Sequence, residues 1–141
     1  MDEIKLEIRD YYVLLNLHKA LLEAKFHLNP DNTLVCLSPI IADLCNELVD
    51  ILAKMDELKD ERNAGGWDNW RKLEGKSFFR ERAIKNATLN NRWPDMNEEE
   101  KVRCAKNLIS PFTATEEELR SFIDEVDKEF ISSELPADNN V

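Results

Sequence analysis

The chain has 141 residues, 43% of them apolar and 34% charged, and a net charge of −10. That length and apolar content fit one globular domain with a core of its own and exclude wholesale disorder. Three glycines and five prolines are too few turn formers for a many-stranded β fold, and three widely spaced cysteines make no disulfide framework.

The opening MDEIKLEIRD is polar and amphipathic, unlike a signal peptide, and no apolar run reaches membrane length. A cytoplasmic protein with reduced thiols is expected. Over residues 3–28, Ile4, Ile8, Tyr11, Leu15, His18 and Leu22 recur at three- and four-residue steps, with Leu14 and Leu21 beside them. This predicts a first helix contacted on several sides and stopped by Asn29-Pro30. Thr33 to Leu37 reads as a connector, short and extended if it is regular at all.

Ser38-Pro39 is a strong helix start, a capping hydroxyl followed by proline at the first helical position. From there Ile41, Leu44, Leu48, Ile51, Met55 and Leu58 keep an unbroken heptad-like spacing. That seam predicts a long helix packed against the first as a helical hairpin. It ends at Asn63 to Gly66.

A cationic, aromatic stretch follows, from Gly65 to Trp93. Trp67, Trp70 and Leu73 step by three and predict a short helix with a docking face. Ser77 can cap another helix, running to about Asn90, whose apolar face is Phe79, Ala83, Ile84 and Ala87. Asn97 with Glu100, and Thr115 with Glu118, have the spacing of capping boxes. They open helices carrying Val102, Ala105, Leu108 and Ile109, and then Leu119, Phe122, Ile123, Val126 and Phe130. The predicted architecture is all-α, a single-domain bundle or irregular array of about five helices with short loops. The domain spans 1–131, and 132–141 form a frayed tail.

Charge is unevenly placed. Residues 1–60 hold 12 acids and 6 bases, residues 61–93 hold 4 acids and 8 bases, and residues 94–141 hold 13 acids and 5 bases. Signs of catalysis are scarce. His18 lies on an apolar face and reads as a core histidine, and His27 sits at a helix end. Cys36 and Cys45 lack CxxC partners, so no zinc site is expected. "EGKS" at 74–77 ends like a phosphate-binding loop, but Trp70 occupies a required glycine position. The glutamate triplets 98–100 and 116–118 fall in first helical turns, where they complement the helix dipole. No cofactor and no enzymatic activity are expected.

Two surfaces remain. Asp124, Glu125, Asp127 and Glu129 sit in the body of the last helix, where capping does not explain them. Asp124, Asp127 and Glu125 are expected to project from the apolar stripe and make an exposed anionic ridge, and all four are candidate partner-binding residues. The alternative surface is the basic segment: Trp67, Trp70, Arg71, Lys72, Arg80, Arg82 and Arg92, with Trp93. It has the residue types that stack on bases and pair with phosphates, or grip an acidic protein. Its cations can equally balance the acidic helices of the same chain. In size and composition the chain is similar to bacterial immunity proteins and phage-encoded inhibitors. The favoured expectation is an acidic helical protein-binding module, an inhibitor, immunity protein or adaptor acting on a basic partner protein. Nucleic-acid binding through 67–93 is the first alternative, and a helical enzyme or ligand-binding regulatory domain the second.

Overall fold

The computed structural model describes residues 5–28 and 33–134. Among them are seven α-helices, two 3-10 turns and no strand, more and shorter helices than the five expected. The short helix expected around Trp67 and Trp70 is present as a separate element, and the one at Thr33–Leu37 was not expected.

Helix α1 spans Tyr11–Lys25, inside the expected 3–28, of which 3–4 lie outside the described residues. Asp10 caps it, its carboxylate accepting from the amides of Tyr12 at 2.7 Å and Val13 at 3.3 Å. Residues 5–10 are not helical, although Ile8 still packs against core residues of α1 and the long helix behind it. The apolar period therefore ran past the helix boundary because the preceding segment uses the same core. Thr33–Leu37, expected as a connector, forms the one-and-a-half-turn helix α2, with Cys36 buried. A lone extended segment would leave backbone groups unpaired, and a helical turn pairs them internally.

Helix α3, Pro39–Lys59, starts as predicted, with the Ser38 hydroxyl accepting from the Ile41 amide at 3.2 Å. Its buried face is not the predicted seam. Ala42, Cys45, Leu48, Val49 and Leu52 are buried, whereas Leu44, Ile51 and Leu58 are exposed. Only Leu48 belongs to both sets. α1 and α3 run antiparallel. The Tyr11 ring at the start of α1 lies under the Lys59 ammonium at the end of α3, and Leu14 packs with Leu48 and Leu52.

A 3-10 turn at Glu61–Asn63 leads to α4, Gly66–Arg71, preceded by Gly65 at φ 83°. That left-handed residue turns the chain sharply, a conformation glycine adopts without penalty. Helix α5 covers Ser77–Ala87. Ser77 is its first residue and not its cap, and no side chain caps it there. A second 3-10 turn at Trp93–Asp95 precedes α6, Glu98–Ile109, and α7, Glu116–Glu134. Both predicted starts hold. Asn97 accepts from the Glu100 amide at 2.9 Å, and Thr115 and Glu118 exchange side-chain to backbone hydrogen bonds at 3.0 and 3.1 Å. Helix α7 runs to Glu134, three residues into the segment expected as a tail; 135–141 lie outside the described residues.

The core falls into two clusters. The larger joins α5, α6 and α7 around Trp93, Phe112, Phe122 and Ile109 and takes in Phe26 after α1. The smaller, centred on Leu14, Leu48 and Leu52, lies inside the α1–α3 hairpin. Lys25 helps to tie the two halves. It is buried, and its Nζ donates to the carbonyls of Asn107 at 2.6 Å and Leu108 at 2.7 Å, the orphan acceptors of the last turn of α6. Its own carbonyl accepts from Asn86 Nδ2 at 3.0 Å.

Candidate functional site

The anionic ridge is only half a ridge. Asp124 and Glu129 are exposed on α7, as expected. Asp127 turns inward: its Oδ1 accepts from Trp93 Nε1 at 2.8 Å and from Lys101 Nζ at 3.0 Å. Trp93 is wholly buried, so its indole N–H needs an acceptor, and Asp127 sits one helical turn from the buried Ile123 where it can reach. Glu125 is half-buried and pairs with Arg80 at 2.8 Å. The expectation that these two project freely is therefore corrected.

The basic segment is drawn inward to a similar degree. Arg71 pairs with Asp50, donates to Asn46 Oδ1 at 3.0 Å and donates to the Pro111 carbonyl at 2.9 Å. In this way α4 is fastened to α3 and to the α6–α7 turn, where Leu73 N also donates to the Thr113 carbonyl at 2.9 Å. Arg80 binds Glu125 and the Ser121 hydroxyl on α7. Arg82 covers the Phe78 ring at 4.7 Å from its centroid. Lys72 and Arg92 are exposed. Trp93, named with the stacking candidates, has no accessible face. Arg71 and Arg80 thus act as intramolecular counter-charges.

Trp67 and Trp70 are half-buried, and between them lies a feature the sequence reading missed. Their rings meet edge to face at 5.4 Å, and each meets the His18 imidazole, at 5.4 and 5.1 Å. The three rings form one wall of a cavity of about 850 Å³ between α1, the end of α3 and α4. Leu15 and Leu22 supply apolar lining, and Lys19, Arg62 and Asn69 add polar groups. Asp56 fixes the Trp67 ring, accepting from its Nε1 at 2.6 Å, and burial, with the Asp56 carboxylate nearby, raises the Tyr11 pKa. Burial holds the His18 pKa below its ordinary value, with the nearby Lys19 charge adding to the effect, so the ring is neutral at pH 7. The signal was present: His18 shares a helical face with Leu15 and Leu22, and the tryptophans face one side.

Models of known protein families, curated proteins and solved structures give no match to this chain. No helix among the described residues is long and apolar enough to cross a membrane.

Proposed function

We propose that the protein works by stoichiometric binding, as an inhibitor, immunity protein or adaptor, and that its exposed acidic helical surface meets a basic partner protein. One observation carries this reading. Arg71 and Arg80 are folded back onto the chain's own polar groups, while Asp124 and Glu129 face water with no ion pair among the described residues. With a net charge of −10, the outward field is anionic and steers cationic partners.

The test is a pair of double charge reversals, each checked first for an unchanged melting temperature. Asp124→Lys with Glu129→Lys should slow association with a basic partner captured from the native host by about tenfold at low salt, the effect shrinking as salt rises. Arg82→Glu with Arg92→Glu should leave that association unchanged. The opposite pattern, together with retention on heparin, would move the contact to the basic segment and favour nucleic acid or an acidic partner.

The aromatic cavity favours a second reading, a ligand-binding regulatory domain. A concave, mostly apolar site with a few polar groups is the usual form of a small-molecule pocket. Under that reading Trp70→Ala abolishes ligand-induced thermal stabilisation in a screen of small aromatic compounds, while Asp124→Lys leaves it intact.

A further inference from the structure

The predicted heptad seam of α3 is real as a pattern, yet the chain covers only part of it. Leu44, Ile51 and Leu58 recur every seven residues and stand 38%, 39% and 79% exposed, with Ile40 at 77% on the same side of the helix. The antiparallel α1 continues this surface. Leu17 and Leu21 pack with the hairpin core, and Val13, Ala20 and Ala24 follow them outward at helical spacing, all exposed. The two small alanines permit close approach of another helix. Three leucine or isoleucine side chains in strict register on one solvent-facing stripe differ from the scattered exposed apolar residues of ordinary surfaces.

We propose that this face is covered by a second copy of the same chain, related by a two-fold axis that crosses α3 beside Ile51 and pairs α3 antiparallel with its mate. The charges select this occupant. The solvent edge of the stripe carries Glu47 and Lys54, both exposed and neither in an ion pair among the described residues. Ile51 lies between them in sequence. A two-fold axis beside Ile51 sets Ile51 opposite Ile51, Leu44 opposite Leu58, and Glu47 opposite Lys54 of the other copy, twice over. An isologous interface repeats every contact in this way, so one charge pair of opposite sign becomes two. A parallel pairing in register would place Glu47 on Glu47 and Lys54 on Lys54. The antiparallel axis is thus the arrangement in which both the apolar stripe and its flanking charges are satisfied, and it needs no partner of other sequence. It rests on α3 and α1 alone and is independent of the acidic surface of α7.

Sedimentation and light scattering of the full chain at tens of micromolar should give twice the chain mass of 16.4 kDa. Leu44→Glu with Leu58→Glu should give the single-chain mass with unchanged helicity, since neither residue is core. Glu47→Lys alone should raise the dimer dissociation constant by about tenfold, as two attractive pairs become repulsive. Adding Lys54→Glu to it should restore the wild-type value. Ile51→Cys should form an intermolecular disulfide on mild oxidation, because the new thiols face each other across the axis. A wild-type chain that stays at the single-chain mass overturns the proposal. So does a dimer that survives the Leu44 and Leu58 changes, or one that the double charge exchange does not rescue; either result puts the contact elsewhere or in another register.

Discussion

The two halves of the molecule spend similar apolar residues in different ways. In the α5–α7 half, most apolar positions of the helices pack within the chain, from Ala83 through Ile109 to Val126 around the buried Trp93, with Phe78 and Ile131 left exposed. In the α1–α3 hairpin, the fully enclosed cluster reduces to Leu14, Leu48 and Leu52, and residues of the same kind are left facing solvent. Apolar spacing marks a face that is to be covered. What covers it depends on how many neighbours the chain can supply, and α6 and α7 close on α5 while, among the described residues, the outer side of α1 and α3 has no helix over it.

The sharpest way to break this contrast is Trp93→Ala. It removes the largest fully buried side chain and leaves Asp127 without its indole donor. A loss of about 3–5 kcal/mol in urea unfolding is expected; a loss near 1 kcal/mol would mean that the larger cluster is loosely packed. In the hairpin, Leu48→Ala is expected to cost about 2–3 kcal/mol, the low end for a buried leucine, because half-buried neighbours can close into the space. A cost equal to that of Trp93→Ala would erase the difference between the halves.

Smaller effects sharpen the comparison at its joints. Thr115→Ala removes a reciprocal capping pair at the start of α7 and should lower stability by about 1 kcal/mol, read from the thermal midpoint. Lys25 gives a pH signature. Burial lowers its pKa to about 8, so the folded state gives up this proton before the unfolded chain does. Its charging penalty is present in full below pH 8 and is relieved as pH rises towards the ordinary lysine value. The buried thiols of Cys36 and Cys45 and the half-buried one of Cys104, all raised by burial, act oppositely once unfolded thiols ionise near pH 9. The clean measurement is the difference between wild type and Lys25→Met. Wild type should gain about 1 kcal/mol on the variant from pH 8 to 9, and a pH-independent difference would show that the ammonium is solvated. The smallest effect belongs to Leu58→Ala. In dilute solution it should change stability by no more than about 0.5 kcal/mol, and by more as concentration rises if the outer face of α3 is occupied.

Helix starts were the most legible part of the fold. Ser38, Asn97 and Thr115 announce themselves because a short polar side chain, a proline or a glutamate three residues on has a local job that no distant contact alters. The start of α1 was not legible, since Ile8 continues the apolar period from outside the helix. Nor was the buried face of α3. Isoleucine and leucine drew attention to 41, 44, 51 and 58, whereas the chain packs its interior with the smaller Ala42, Cys45 and Val49 beside Leu48 and Leu52. The candidate sites were less legible still. Whether Asp127 meets solvent or an indole, and whether Arg71 meets a ligand or a carbonyl of the α6–α7 turn, depends on helices far away in sequence. Lys25 illustrates the same limit. It falls three residues past Leu22 on the apolar stripe, yet only the end of α6 explains a charge there.

That lysine also sets a gradient of protection along α1. At its carboxyl end the helix is fastened by two hydrogen bonds from Nζ to α6 and by one from Asn86 on α5. At its amino end it is held by the Asp10 cap and the ring of Tyr11 under Lys59. Opening of the hairpin should therefore begin at Tyr11 and stop short of Lys25. Backbone amides near residue 15 would then exchange with solvent through small fluctuations, and those near residue 25 only when the whole domain unfolds.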